Sequence, residues 1–179
     1  RLGIDSLLPT GITEIRGILN GTTNYILTRM ETGATYEEAL LQAQELGYAE
    51  ADPTGDVEGF DTAGKVAILS QLIFNTFIKP ESISRQGITQ ITPEEIQEAA
   101  KNNMRWKLIG SVKKLERGVE AFVKPMMIPM DDPLANISGA GNAIQYQSDL
   151  LGAITLIGPG AGRKETAAAL IEDLIHIVL

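Results

Sequence analysis

Trp106-Lys107-Leu108-Ile109-Gly110-Ser111-Val112, followed after Lys113-Lys114-Leu115-Glu116-Arg117-Gly118 by Val119-Glu120-Ala121-Phe122-Val123, reads as two strands joined by a hairpin. Both runs are apolar or β-branched, and the segment Lys114 to Gly118 between them is charged and ends on glycine, as a turn does. Strands joined this tightly run antiparallel, because a parallel pair needs a crossover of a dozen residues or more. Two further runs, Ala143 to Gln147 and Ala153 to Ile157, repeat the pattern toward the C-terminus, and Glu14 to Leu19 lies before it.

Helical patterns fill the space between the first strand and the hairpin. Tyr25, Ile26, Leu27 and Met30 share one helical face. Thr35 opens a capping box with Glu38 ahead of Ala39, Leu40, Ala43 and Leu46, and Gly47 stops that helix. From about Glu58 to Asn75, Ala63, Val66, Ala67, Leu69, Leu72 and Ile73 make the broad apolar face of a central helix. Thr92-Pro93-Glu94-Glu95 starts another helix, expected to end near Asn103, and a last one is predicted from about Lys164 to Val178. One strand, three helical segments, a fourth helix and then a run of strands imply an α+β fold, with a mixed, mostly antiparallel sheet covered by helices on one face. A doubly wound nucleotide-binding domain is not encoded. No repeat or low-complexity linker divides the chain, so residues 1–179 read as one domain.

Composition narrows the function. A formal net charge of −8 argues against a nucleic-acid or anionic-membrane partner, and no apolar run approaches the roughly 20 residues of a membrane-spanning helix. A cytoplasmic protein is expected. The absence of cysteine excludes disulfides, thiolate metal sites and any mechanism through a thioester. Arg1 in place of Met and an ending inside an apolar helical pattern suggest boundaries within a longer protein.

Chemistry-bearing residues concentrate between Gly47 and Lys65, a stretch with five acids: Glu50, Asp52, Asp56, Glu58 and Asp61. Asp52-Pro53-Thr54-Gly55-Asp56 is turn chemistry that delivers the chain into the central helix. Asp61 and Lys65 are one turn apart on it and so share a face. They read either as a solvated surface ion pair or, with Glu50 and Asp56, as a cluster around a small substrate bearing both an ammonium and a carboxylate. In Gly17-Ile18-Leu19-Asn20-Gly21-Thr22-Thr23-Asn24-Tyr25 a strand feeds a tight turn into a helix. Its free N–H groups suit a carboxylate or phosphate, while Thr22 or Thr23 equally suits a plain N-cap. Gly158-Pro159-Gly160-Ala161-Gly162, between strand and helix, permits close approach of a ligand. His176, the sole histidine, reads as a helix-surface or packing residue, and Met126, Met127 and Met130 beside Pro125 and Pro129 read as packing or an irregular edge.

Taken together, the runs Gly17 to Leu27, Leu46 to Lys65 and Gly158 to Gly162 resemble the homoserine dehydrogenase family, in the family's order and across almost the whole chain. The resemblance implies an NAD- or NADP-dependent oxidoreductase that interconverts L-aspartate 4-semialdehyde and L-homoserine, toward threonine, isoleucine and methionine. By resemblance the catalytic residues are Lys65, which contacts the reacting end of the substrate, and Asp61, which holds it, while Glu50, Asp56, Tyr48, Thr22 and Gly21 line its pocket. Gly158, Gly160 and Gly162 would then touch the cofactor. A cation near the aldehyde oxygen stabilises the alkoxide formed on hydride arrival, or supplies its proton.

The same resemblance implies a homodimer formed through this domain. It also implies that the nucleotide-binding domain, a further acid/base lysine and the monovalent-cation site lie upstream of Arg1, so no metal is expected within these residues. Whether a regulatory extension or feedback by threonine exists is not legible from the chain. Alone, the 179 residues are expected neither to bind a dinucleotide tightly nor to turn over homoserine. Two other readings stay open: a non-catalytic amino-acid-binding or dimerisation module, and a dehydrogenase of another small aldehyde or hydroxy acid.

Overall fold

The computed structural model describes residues 3–178. Its strands are β1 (Ile12–Ile18), β2 (Ser84–Arg85), β3 (Met104–Lys114), β4 (Val119–Pro129), β5 (Gly141–Ser148) and β6 (Gly152–Pro159). They form one sheet in the order β2-β4-β3-β1-β5-β6. Every pairing is antiparallel except the two-residue β2 against β4. The expected mixed, mostly antiparallel sheet is therefore present. The hairpin closes as read, with the Leu115 amide donating to the Gly118 carbonyl at 3.1 Å.

The helices are α1 (Gly21–Glu31), α2 (Tyr36–Glu45), α3 (Thr54–Val57), α4 (Phe60–Phe74), α5 (Pro93–Lys101) and α6 (Arg163–Val178). Both predicted capping boxes form, Thr35 with Glu38 and Thr92 with Glu95. The central helix read from about Glu58 to Asn75 is α4; the short α3, in the stretch read as a turn, ends at Val57, and Gly59 at φ 78° separates the two. Only glycine enters that left-handed region without strain.

Helix α4 is central, packing on β3 and β4. A Cβ at Gly110 would meet Val66 Cγ2 at 2.8 Å and Thr62 Cγ2 at 2.9 Å, so the missing side chain lets the helix sit directly on the sheet. Ile15, Val66, Leu108, Val112 and Val123 are buried in the resulting core. Each fully buried aliphatic side chain of this kind contributes about 2 kcal/mol. On alternate positions of the strands, Ile18, Ile109, Ile128 and Ala143 form a smaller cluster, closed by Leu134 and Ala135 of the 3₁₀ turn Pro133–Asn136. Helices thus cover one face and a short turn the other.

Strand β4 runs on through Pro125 and Pro129, so of packing and an irregular edge, the two readings of Met126, Met127 and Met130, packing holds: Met126 and Met130 lie against the smaller cluster. The strand bonds β3 along all 11 residues, and on its other side it pairs with Ser84 and Arg85 and accepts from the Gln86 amide at Val123, so prolines lacking an N–H fit beside that sparsely paired edge. Helix α6 forms as expected, but its apolar stripe of Leu170, Ile171, Leu174 and Ile175 is exposed. Strand β2 was not foreseen, since two residues carry no periodicity. No described helix is long and apolar enough to cross a membrane.

Candidate active site

Strand β1 ends in the middle of the sheet, and α1 leaves at the same point between β3 and β5. Its N-cap, Asn20, has extended backbone and accepts from the Thr23 amide at 2.9 Å. The N–H groups of Gly21 and Thr22, in the first turn, have no acceptor within the helix. A Cβ at Gly21 would stand 2.7 Å from the Ala140 carbonyl oxygen, so only glycine fits between this turn and the segment leading into β5.

The other end of Asn20 reaches the acids. Its Nδ2 donates to Asp56 Oδ1 at 2.7 Å and to Asp61 Oδ2 at 3.0 Å. Asp61 Oδ2 also accepts from Lys65 Nζ at 2.7 Å, and that ammonium donates to the Leu19 carbonyl at 2.8 Å. One buried amide therefore joins the end of β1 to the starts of α3 and α4 and orients both carboxylates. Lys65 and Asp61 keep side-chain exposures of 42% and 38%, which leaves both accessible to a ligand.

These groups line a cavity of about 1060 Å³. Gly21, Thr22, Tyr48, Glu50, Asp56, Asp61 and Lys65 all face it. Gly158 and Gly160 form its rim, but Gly162 is not part of the lining. The constellation drawn from sequence is thus brought together except for that glycine. Thr22 takes part with a qualification, because its hydroxyl already donates to the Tyr48 carbonyl at 2.6 Å. That bond ties the loop carrying Glu50 to the first turn of α1. The Tyr48 ring meets Tyr25 at 5.1 Å between centroids, and the Glu50 and Ala51 carbonyls accept from Gln44 Nε2. Asp52, also in the lining, is held below the usual carboxylate range by hydrogen bonds from Thr54.

Four carboxylates and one ammonium in the wall make a site for a small molecule with a cationic group and an oxygen that gains negative charge. A narrower apolar groove of about 470 Å³ continues past Lys65 and Gly158 between Ile68 and Leu69 of α4 and Ile144 and Leu156 of the sheet. It adjoins the cavity at Lys65 and Gly158. Asn20 and Asn142 were not singled out from sequence. Asn20 reads there only as part of a turn; the cap expected of Thr22 or Thr23 falls to it instead, because α1 starts at Gly21 and places both threonines inside the helix. Asn142 opens β5, lies against Gly160 and lines both cavities, a position set by strand pairing that no local pattern displays. Among the described residues no cluster of His, Cys, Asp and Glu is arranged to hold a metal.

Comparison with known proteins decides the family. The homoserine dehydrogenase family model matches residues 4–175. The chain belongs to the homoserine dehydrogenase family. It is 48% identical over 178 residues to an NAD(+)-dependent homoserine dehydrogenase of Pseudomonas canavaninivorans, covering 99% of this chain and 51% of that protein. The solved homoserine dehydrogenase of Thiobacillus denitrificans superposes with a TM-score of 0.92 at 39% identity, over 97% of this chain and 41% of that one. A hyperthermophilic archaeal homoserine dehydrogenase mutant, solved in complex with NADPH, superposes with a TM-score of 0.79 at 32% identity, over 97% of this chain and 50% of that one. The chain spans about half the length of the curated homoserine dehydrogenases it matches.

Proposed function

We propose that the protein to which this chain belongs interconverts L-aspartate 4-semialdehyde and L-homoserine with a nicotinamide dinucleotide, and that these residues are its substrate-binding and dimer-forming domain. The observation that carries the reading is the convergence of Glu50, Asp56, Asp61 and Lys65 on one cavity, with the first turn of α1 on one wall and Gly158 and Gly160 on its rim. Glu50 and Asp56 offer carboxylates to the substrate ammonium, and the Gly21 and Thr22 amides lie where a substrate carboxylate would accept from them.

Lys65 then stands at the reacting end. Oxidation of homoserine removes a hydride from its terminal carbon and a proton from its hydroxyl. Asp61 and the Leu19 carbonyl hold the ammonium in place, where it stabilises the developing alkoxide or carries its proton. The dinucleotide, when bound, supplies the hydride acceptor. The turn at Gly158 and Gly160 and the adjoining apolar groove fit its nicotinamide end. Strand β6, the Gly158 to Gly162 turn and α6 follow one another, but β6 is an antiparallel edge strand, and the described residues contain no parallel strand, glycine turn and helix of the kind that grips a pyrophosphate.

The same reading takes NAD or NADP as cofactor and places the protein in the cytoplasm, in synthesis of threonine, isoleucine and methionine. It gives a homodimer formed through the sheet, whose face away from α4 carries Phe122 and Met126 beyond the reach of the helices. Sedimentation at micromolar concentration is expected to give a dimer, and a monomer would contradict that part. The function is tested by following reduction of NAD and of NADP by the complete protein with L-homoserine. Turnover with homoserine and none with other small hydroxy acids is expected. Substrate binding without turnover would favour a non-catalytic amino-acid-binding module.

A further inference from the structure

Lys107 is the largest wholly buried side chain among the described residues, and the chemistry above does not use it. It projects from β3 into the gap left where β1 ends. There Nζ donates to Asn24 Oδ1 at 3.1 Å and to the Ile137 carbonyl at 2.8 Å, with Glu31 Oε1 at 3.8 Å as its counter-charge. Asn24, itself buried, donates through Nδ2 to the carbonyls of Ile137, Gly139 and Gly141 at 3.0 to 3.1 Å. Thr28 Oγ1 accepts from the Gly139 amide at 3.2 Å, and Arg105, paired with Glu31, donates to the Ala135 carbonyl.

The backbone partners of these bonds all fall within residues 135–141, from the end of the 3₁₀ turn to the first residue of β5. Residues 137–140 between the two elements have no ladder to hold them, and the segment supplies Asn136, Ile137, Ser138 and Ala140 to the cavity wall facing the first turn of α1. Charge burial is a poor way to gain stability: a buried ion pair costs several kcal/mol of desolvation per ion, and an apolar residue of the same size is often as good or better. Burial lowers the Lys107 ammonium to about 8, the direction that cost requires. What the lysine does that an apolar side chain cannot is donate to a carbonyl and polarise an amide that donates to that carbonyl and two more.

We propose that Lys107 and Asn24 are positioning residues, a buried latch that fixes the backbone of residues 137–141 against α1 and so shapes the wall that receives the amino-acid end of the substrate. The identity of that substrate rests on the function proposed above. Asn142 and the Gly158 turn are held by strand pairing instead, so the latch acts on homoserine and not on the dinucleotide.

The test uses the complete enzyme and Lys107→Met, which keeps the volume and removes the donor. Its melting temperature is expected to be unchanged or higher. The KM for homoserine is expected to rise at least about tenfold, with the KM for dinucleotide within about twofold of wild type. Backbone amides of residues 137–141 should exchange faster with solvent, a readout that does not depend on which substrate is turned over. Wild-type protein that does not oxidise homoserine would sink the functional reading, while the exchange rates would still decide the latch. Unchanged exchange and unchanged KM in a folded Lys107→Met protein would overturn it. Should that variant fail to fold, Asn24→Asp decides: it keeps Lys107 paired but loses the donors to Gly139 and Gly141, and the same rise in KM is expected. Normal kinetics in that variant, or loss of the fold in both, would equally overturn the proposal.

Discussion

Lys65 Nζ donates at 2.7 Å to Asp61 Oδ2, one turn earlier on α4, and that same oxygen accepts from Asn20. An exposed i,i+4 pair is worth under about 1 kcal/mol to the fold. Its other bonds distinguish this one, because Asn20 and the Leu19 carbonyl point the pair into a cavity.

Asn20→Ala should therefore act on both stability and chemistry. Loss of the N-cap should cost about 1 kcal/mol in a denaturant titration. Release of Asp56 and Asp61 should lower kcat/KM for homoserine by more than that loss of stability explains.

Asp61→Ala in the complete enzyme should lower kcat/KM for homoserine by at least about 100-fold, because Lys65 loses the partner that orients it. Glu50→Ala should behave differently. Its carboxylate sits in a loop away from the Lys65 end, so steady-state kinetics should show a raised KM for homoserine with a smaller change in kcat.

The sequence displayed the contents of this site better than its supports. Glu50, Asp56, Asp61 and Lys65 crowd into 16 residues, and acids at a helix entry are visible as letters. The same held for the hairpin and for the capping boxes at Thr35 and Thr92, which are local. Asn20 joining two helices, Asn142 beside Gly160 and Lys107 under residues 137–141 depend on contacts between segments 30 to 83 residues apart or on strand register. Period and propensity carry no such information. Nothing local marks Lys107, between Trp106 and Leu108 in a predicted strand, as buried. The short α3 falls in the stretch read as a turn, because its four residues carry no helical period.

The buried lysine also predicts a pH dependence of stability. Its folded value of about 8 lies below its ordinary 10.5, so between them the unfolded chain holds a proton that the folded chain has released. Stability accordingly rises with pH in that interval. Burial keeps the Tyr36 and Tyr146 phenols above 10, and above that pH their ionisation on unfolding pulls the other way. Urea titrations from pH 8 to about 9.5 should show wild type gaining up to about 2 kcal/mol relative to Lys107→Met. Parallel profiles would show that the lysine does not titrate in this window.

Residues 1–179 alone should bind neither NAD nor NADP tightly. The Gly158 to Gly162 turn can touch a nicotinamide, but it leads into α6 from an antiparallel edge strand and not from the parallel strand that sets a helix N-terminus against a pyrophosphate. Calorimetry should detect no binding at micromolar dinucleotide. A tight titration would mean that the chain carries a nucleotide site of its own.

The central claim, that this cavity oxidises homoserine through Lys65, is tested most directly by dinucleotide reduction in the complete enzyme carrying Lys65→Ala. Lys65 is partly exposed and, among the described residues, its ammonium bonds Asp61 and the Leu19 carbonyl, so circular dichroism and melting should be nearly those of wild type. The predicted result is a folded protein whose kcat/KM for L-homoserine is lower by at least about 100-fold, the lower range for a positioned proton-transfer or charge-stabilising group. A folded Lys65→Ala enzyme that oxidises homoserine at the wild-type rate would contradict it.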